Sequence, residues 1–196
     1  MAANVGRKTE ANLTAGRIPA LRVPTQMDLK LDHPRHGWLP VSLTISGKLC
    51  QFRASNVVND PLSKFLAVAL WLAAPDEPLP EIPSSLNPPF TETDVRCIHF
   101  WLEPVWHTLL VQRLPTRVRL VFYEDHPGAL SVGPHDLRGS ARTLFDRTSV
   151  SQFATTLYTS LASIRHGMAP ALYDQHWGRP FSEAHLKSLA TSLQRD

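Results

Sequence analysis

CIHFWLEPVWHTLLVQRLPTRVRLVFYEDH, residues 97–126, is the stretch on which the fold turns. Successive side chains of a strand point to opposite faces. In an extended chain Ile98, Phe100 and Leu102 therefore share one side, and Cys97, His99 and Trp101 the other. Further along, Val118, Leu120 and Phe122 oppose Arg117, Arg119, Val121 and Tyr123. Glu103-Pro104 and Pro115-Thr116 divide the stretch into apolar runs at residues 95–102, 105–113 and 117–124. Connections this short join antiparallel neighbours, so the runs predict a meander. Pro104 cannot take the positive φ of a type I′ turn, so the first connection exceeds two residues and leaves the register open.

Outward from the meander, the same period of two marks Met27, Leu29 and Leu31 against Asp28, Lys30 and Asp32. Val41, Leu43 and Ile45 repeat it before a bend at Ser46-Gly47, which predicts a hairpin. Asp60-Pro61 is a helix start, since Asp caps orphan amides and Pro at N1 has no amide to lose. Leu62, Phe65, Leu66, Val68, Leu70, Trp71 and Leu72 then cover nearly the whole circumference of a helix running to about Ala74. Such a helix must be enclosed on all sides, against the sheet. Residues 75–93 hold six prolines and read as a long surface loop. A further short strand is expected near residues 142–146. Ser149 and Gln152 then stand at capping-box spacing before Val150, Phe153, Ala154, Leu157, Leu161 and Ile164, with Gly167 as the stop. A last helix is expected over 182–193 with Ala184, Leu186, Leu189 and Leu193. The order predicts an α+β fold, an antiparallel meander packed on one face by a buried helix and two C-terminal helices.

At 196 residues and 43% hydrophobic content, the chain suits one well-buried core. The expected organisation is a mobile arm over residues 1–25 and a single domain over 26–196. The arm lacks the apolar run of a secretory signal. The longest apolar run, residues 65–74, is about half the ~20 residues that span a bilayer, so no membrane partner is expected. Cys50 and Cys97 are too few for a disulfide framework or a cysteine-rich zinc module, which predicts reduced core thiols and a cytoplasmic setting. Net charge is +3, and residues 1–35 carry six Lys/Arg against three Asp/Glu. The remainder is nearly balanced, with no basic stripe, which argues against nucleic acid.

The polar groups of residues 97–126 invite several chemistries. His99, His107 and His126, with Glu103 or Glu124, are the residue types of a zinc site, but their spacing matches no paired-ligand motif. His33 and His36 in HPRH sit in a loop, where imidazoles are commonly solvated. There is no GxSxG elbow, no thiol beside a recognisable histidine motif and no Gly-rich phosphate cradle. Glu103 has no second carboxylate at hand and reads as a turn residue. No cofactor and no catalytic residue are therefore expected. The purely apolar sets are expected to meet the helices, leaving His99, Trp101, Arg119 and Tyr123 outside, either as a solvated face or as a partner surface, since aromatics beside arginine are typical of binding hot spots. Trp106 joins them as a rim residue, and Glu103, Glu124 and Asp125 are expected to steer a basic partner.

FWLEP followed by HTLLVQRL and RVRLVFYED, after RASNVVNDPLSKFLAVALWLA and before WGRPFSEAHLKSL, resembles small bacterial immunity-type proteins encoded beside polymorphic or secreted toxins. The likeness covers roughly residues 37–193. It implies a non-enzymatic protein that binds a cognate toxin and occludes its active site. The alternatives are a metal- or carboxylate-dependent hydrolase using His99, Glu103 and His107, and a secretion-assembly adaptor acting through the PxxP spacings at Pro75–Pro78 and Pro80–Pro83.

Overall fold

The structure, a computed structural model, describes residues 27–45, 47–75, 94–126 and 141–195, with the backbone alone for 125, 126 and 141–147. The expected arm and the proline-rich loop lie outside the described residues. Elements run β1 (Asp28–Leu31), β2 (Trp38–Ile45), β3 (Lys48–Ser55), α1 (Pro61–Ala73), β4 (Val95–Trp101), β5 (Trp106–Arg113), β6 (Arg117–His126), β7 (Ala141–Ser149), α2 (Val150–Gly167), α3 (Pro170–Trp177) and α4 (Glu183–Leu193). The fold is α+β, with one antiparallel sheet in chain order β1 to β7. The meander is present as β4, β5 and β6, and its first connection spans Leu102 to Val105, closed by Leu102 N donating to Val105 O at 2.9 Å.

The sheet bends where β3 meets β4. These strands pair only at Ser55↔Trp101. Away from that point β3 crosses the inner face of the meander, so that the Phe52 ring lies 4.9 Å from Phe100, 4.8 Å from His107 and 5.8 Å from Phe122. Those three rings belong to β4, β5 and β6. The curl continues until β2 touches β7.

The concave side holds the core. Ile98, Phe100, Leu109, Val111, Val118, Leu120 and Phe122 from the meander join Leu39, Val41, Leu43 and Ile45 from β2 around α1 and α2. Each such side chain contributes roughly 1.5–3 kcal/mol through burial. Asp60 caps α1 as its position before Pro61 predicts, accepting from Leu62 N at 3.1 Å and Ser63 N at 3.3 Å. The helix packs on α2, α4 and β4, and its enclosure is nearly complete. It is complete enough to take in Lys64, 6% exposed, whose ammonium burial pushes its pKa down to about 8 against the opposing pull of Asp60.

α2 begins at Ser149, whose hydroxyl accepts from Gln152 N at 3.2 Å. Gly167 is not the stop expected: it is the last helical residue, and the chain leaves the helix through Met168 in an extended conformation; its missing side chain serves space instead, since an added Cβ would collide with the His33 ring. The C-terminal helices number three rather than the expected two among the described residues. The extra one, α3, has only two buried side chains, Tyr173 and Trp177, too few to make a stripe. It is fastened by Trp177 Nε1 donating to Asp60 Oδ1 at 3.2 Å and by Asn56 Nδ2 donating to the Trp177 carbonyl.

Candidate functional site

Register sets the outer face of β4–β6 in rows. Val95, Gln112 and Arg119 form one; Cys97, Leu110 and Val121 the next; His99, Thr108 and Tyr123 a third; Trp101 faces Trp106 at the end. This side carries its own apolar cluster, Val95, Leu110 and Tyr123 with Cys97 and Val121 packed on it, separate from the main core. The rows are held by specific contacts. The Trp101 and Trp106 rings lie 4.8 Å apart, and the His99 ring stands edge-on to Trp106 at 6.4 Å. His99 Nδ1 is 2.8 Å from Thr108 Oγ1, and Arg119 Nη1 donates to Gln112 Oε1 at 3.1 Å. Asn59, just before α1, donates from Nδ2 to the His99 carbonyl.

The structure thus brings together His99, Trp101, Trp106, Arg119 and Tyr123 on one side of the sheet. They are unequally accessible. Trp106 and Tyr123 are buried, whereas His99, Trp101 and Arg119 are half-buried. Glu103 is exposed in the β4–β5 connection, at φ 48° and before a cis proline. Glu124 is placed elsewhere: it alternates with Tyr123 along β6 and turns to the inner side, where its carboxylate meets Lys48 Nζ at 2.5 Å. Asp125 belongs to β6, but its side chain lies outside the described residues.

The residues of the hydrolase reading are not assembled. His99 and His107 are neighbours of the Phe100↔His107 and His99↔Thr108 pairs and project to opposite faces, His107 toward Phe52 and Phe122. Among the described residues no set of three His, Cys, Asp or Glu side chains is arranged to hold a metal ion.

A grouping that sequence reasoning missed lies on the inner side, where Lys48 and Cys50 of β3 reach Glu124 of β6 and His107 of β5. The Lys48 hydrogen bond is the largest influence holding the Glu124 carboxyl below its ordinary range, ahead of burial, which opposes it; a bond from Cys50 and the charges of Lys48 and His107 add to the lowering. Glu124 in turn raises Lys48. Cys50 and Cys97 remain thiols, half-buried rather than in the core as expected, and on opposite sides of the sheet. No sequence signal announces the group, because residues 48 and 124 meet only through the bend at β3.

Neither a family model, nor a curated protein, nor a solved structure matches this chain. Among the described residues no helix is long and apolar enough to cross a membrane.

Proposed function

We propose that the chain is a binding protein of immunity type, acting in the cytoplasm, that neutralises a cognate toxin by covering its active site. The observation that carries this reading is the array on the outer face of β4–β6, in which Trp101 and Arg119 stand half-exposed at opposite ends of a rigid, cross-strand-paired surface. Tryptophan and arginine dominate binding hot spots because they combine large contact area with directional donors. A sheet face whose side chains are already paired loses little rotamer freedom on association. Among the described residues Gln112 is the one hydrogen-bond partner of the Arg119 side chain, which leaves guanidinium donors for a partner. Glu103 supplies exposed negative charge beside Trp101, the steering element for a basic surface; Glu124, spent on Lys48, does not share that role. The resemblance stated above points the same way.

The test is co-expression with the product of the neighbouring reading frame. That product should arrest growth alone, and this chain should restore it. Trp101→Ala combined with Arg119→Ala should abolish protection, through an affinity loss of at least about a hundredfold, while the circular-dichroism melt stays within a few degrees of wild type. Full protection by the double variant, or a neighbour without toxicity, sinks the reading.

A further inference from the structure

The sheet runs in chain order from β1 to β7, so among the described residues it ends on two edges. An edge strand presents a row of unpaired amides and carbonyls that can pair with another chain. β1 is only four residues long and α2 lies against it, with Ser160 Oγ donating to the Leu29 carbonyl at 2.6 Å. β7 is nine residues long, and among the described residues no strand pairs with its far side. Its register with β6 is regular from Glu124↔Ala141 to Leu120↔Phe145 and shifts before Val118↔Thr148.

Backbone geometry limits how two copies of such an edge can meet. Successive residues of a strand turn their amide and carbonyl alternately to one neighbour and to the other, and directly opposed residues of an antiparallel pair both turn inward or both outward. Two identical strands joined by a twofold axis therefore place one residue opposite itself at the centre. Between Arg142 and Asp146 three centres are open. About Thr143, position 142 faces 144, arginine against leucine; about Phe145, position 146 faces 144, aspartate against leucine. About Leu144, position 142 faces 146, so arginine stands against aspartate, and symmetry repeats the pair. Opposite charges directly across two strands favour their pairing. We propose that β7 pairs antiparallel with β7 of a second copy of this chain, centred on Leu144, so that two sheets join edge to edge in a twofold dimer. The shift after Phe145 twists the end of the strand away, which confines the pairing to residues 142–146 and keeps the association weak. The inference rests on the far edge of the sheet and does not need the partner surface on β4–β6.

Sedimentation velocity of the full chain over a concentration series tests it. Dimer should appear below about 1 mM. Arg142→Asp sets aspartate against aspartate and Asp146→Arg sets arginine against arginine, so each alone should weaken self-association about tenfold. Mixed in equal amounts, the two variants rebuild both opposite-charge pairs and should associate as wild type does. A chain carrying both reversals should do the same, which separates lost charge pairing from lost fold. The proposal is overturned if the wild type stays monomeric to about 1 mM, if either single variant self-associates as wild type does, or if neither the mixture nor the doubly reversed chain recovers the dimer.

Discussion

The outer side of β1–β3 and the outer side of β4–β6 belong to one sheet and yet are built on different plans. Outside β1 and β3 stand Asp28, Lys30, Leu49, Gln51 and Arg53, all exposed, and between them on β2 Trp38, Pro40, Ser42 and Thr44 are half-buried and none is fully buried. Outside β4–β6, Val95, Trp106, Thr108, Leu110 and Tyr123 are buried and Cys97, His99, Trp101, Gln112, Arg119 and Val121 half-buried. The first face is the ordinary solvated side of an antiparallel sheet. The second is largely withdrawn from water, so its side chains contribute to stability before any partner arrives. The difference narrows the proposed partner surface: Trp106 and Tyr123 belong to the packing, and His99, Trp101 and Arg119 are the members that keep exposed area.

The largest effect that would break this contrast is on stability. Trp106 is 7% exposed and tilted against Trp101, so Trp106→Ala should cost about 3 kcal/mol in a urea melt. On the other face Leu49 is 57% exposed, and Leu49→Ser should stay within about 0.5 kcal/mol. Equal costs would mean that the two faces are energetically alike and that the second apolar cluster is an accident of placement.

A smaller test compares one polar cross-strand pair on each face. Thr108 is fully buried against His99 Nδ1, so Thr108→Val should lose about 1 kcal/mol by removing the hydroxyl that meets the imidazole. Gln51 Nε2 donates to Ser42 Oγ at 3.2 Å in the open, where water replaces the bond, and Ser42→Ala should be nearly silent.

How much of this was legible follows from the range of each signal. The alternation that separates Phe100 from His99 and Trp101 is local, and so is the Asp60-Pro61 start of α1; both appear as the sequence implies. By the same alternation Glu124 was readable as facing away from Tyr123, although its carboxylate type suggested a steering role beside the aromatics. α3 carried a signal too, Pro170 at N1 and Gly178 in the left-handed region at φ 73°, but eight residues with two apolar anchors do not make a period. The bend was not legible. It depends on β3 leaving β4 after one pair, a non-local event, and with it went Phe52 against Phe122 and Lys48 against Glu124.

That bond joins the two halves of the sheet, and it gives the finest test of how they differ. Glu124 has its folded pKa lowered from the ordinary 4.5, chiefly by the Lys48 hydrogen bond. As pH falls the unfolded chain therefore takes up this proton first. The stabilisation is present above 4.5 and is lost as pH drops through the lower folded value. Lys48, raised from 10.5, contributes below that value and loses its contribution as pH climbs past the folded one. Lys48 is about half exposed, so screening keeps the pair under about 1 kcal/mol at neutral pH, and added salt should shrink it further. Glu124→Gln should accordingly flatten the fall in stability below pH 4.5 while changing neutral-pH stability little, measured as urea midpoints across a pH series. Parallel curves for variant and wild type would place the joint between the halves in the Phe52 packing alone. Because Lys48 is half exposed whereas Phe52 meets the rings of Phe100, His107 and Phe122, a flattened acid limb with an unchanged neutral midpoint is the signature that the two halves are held by apolar contact and only tuned by charge.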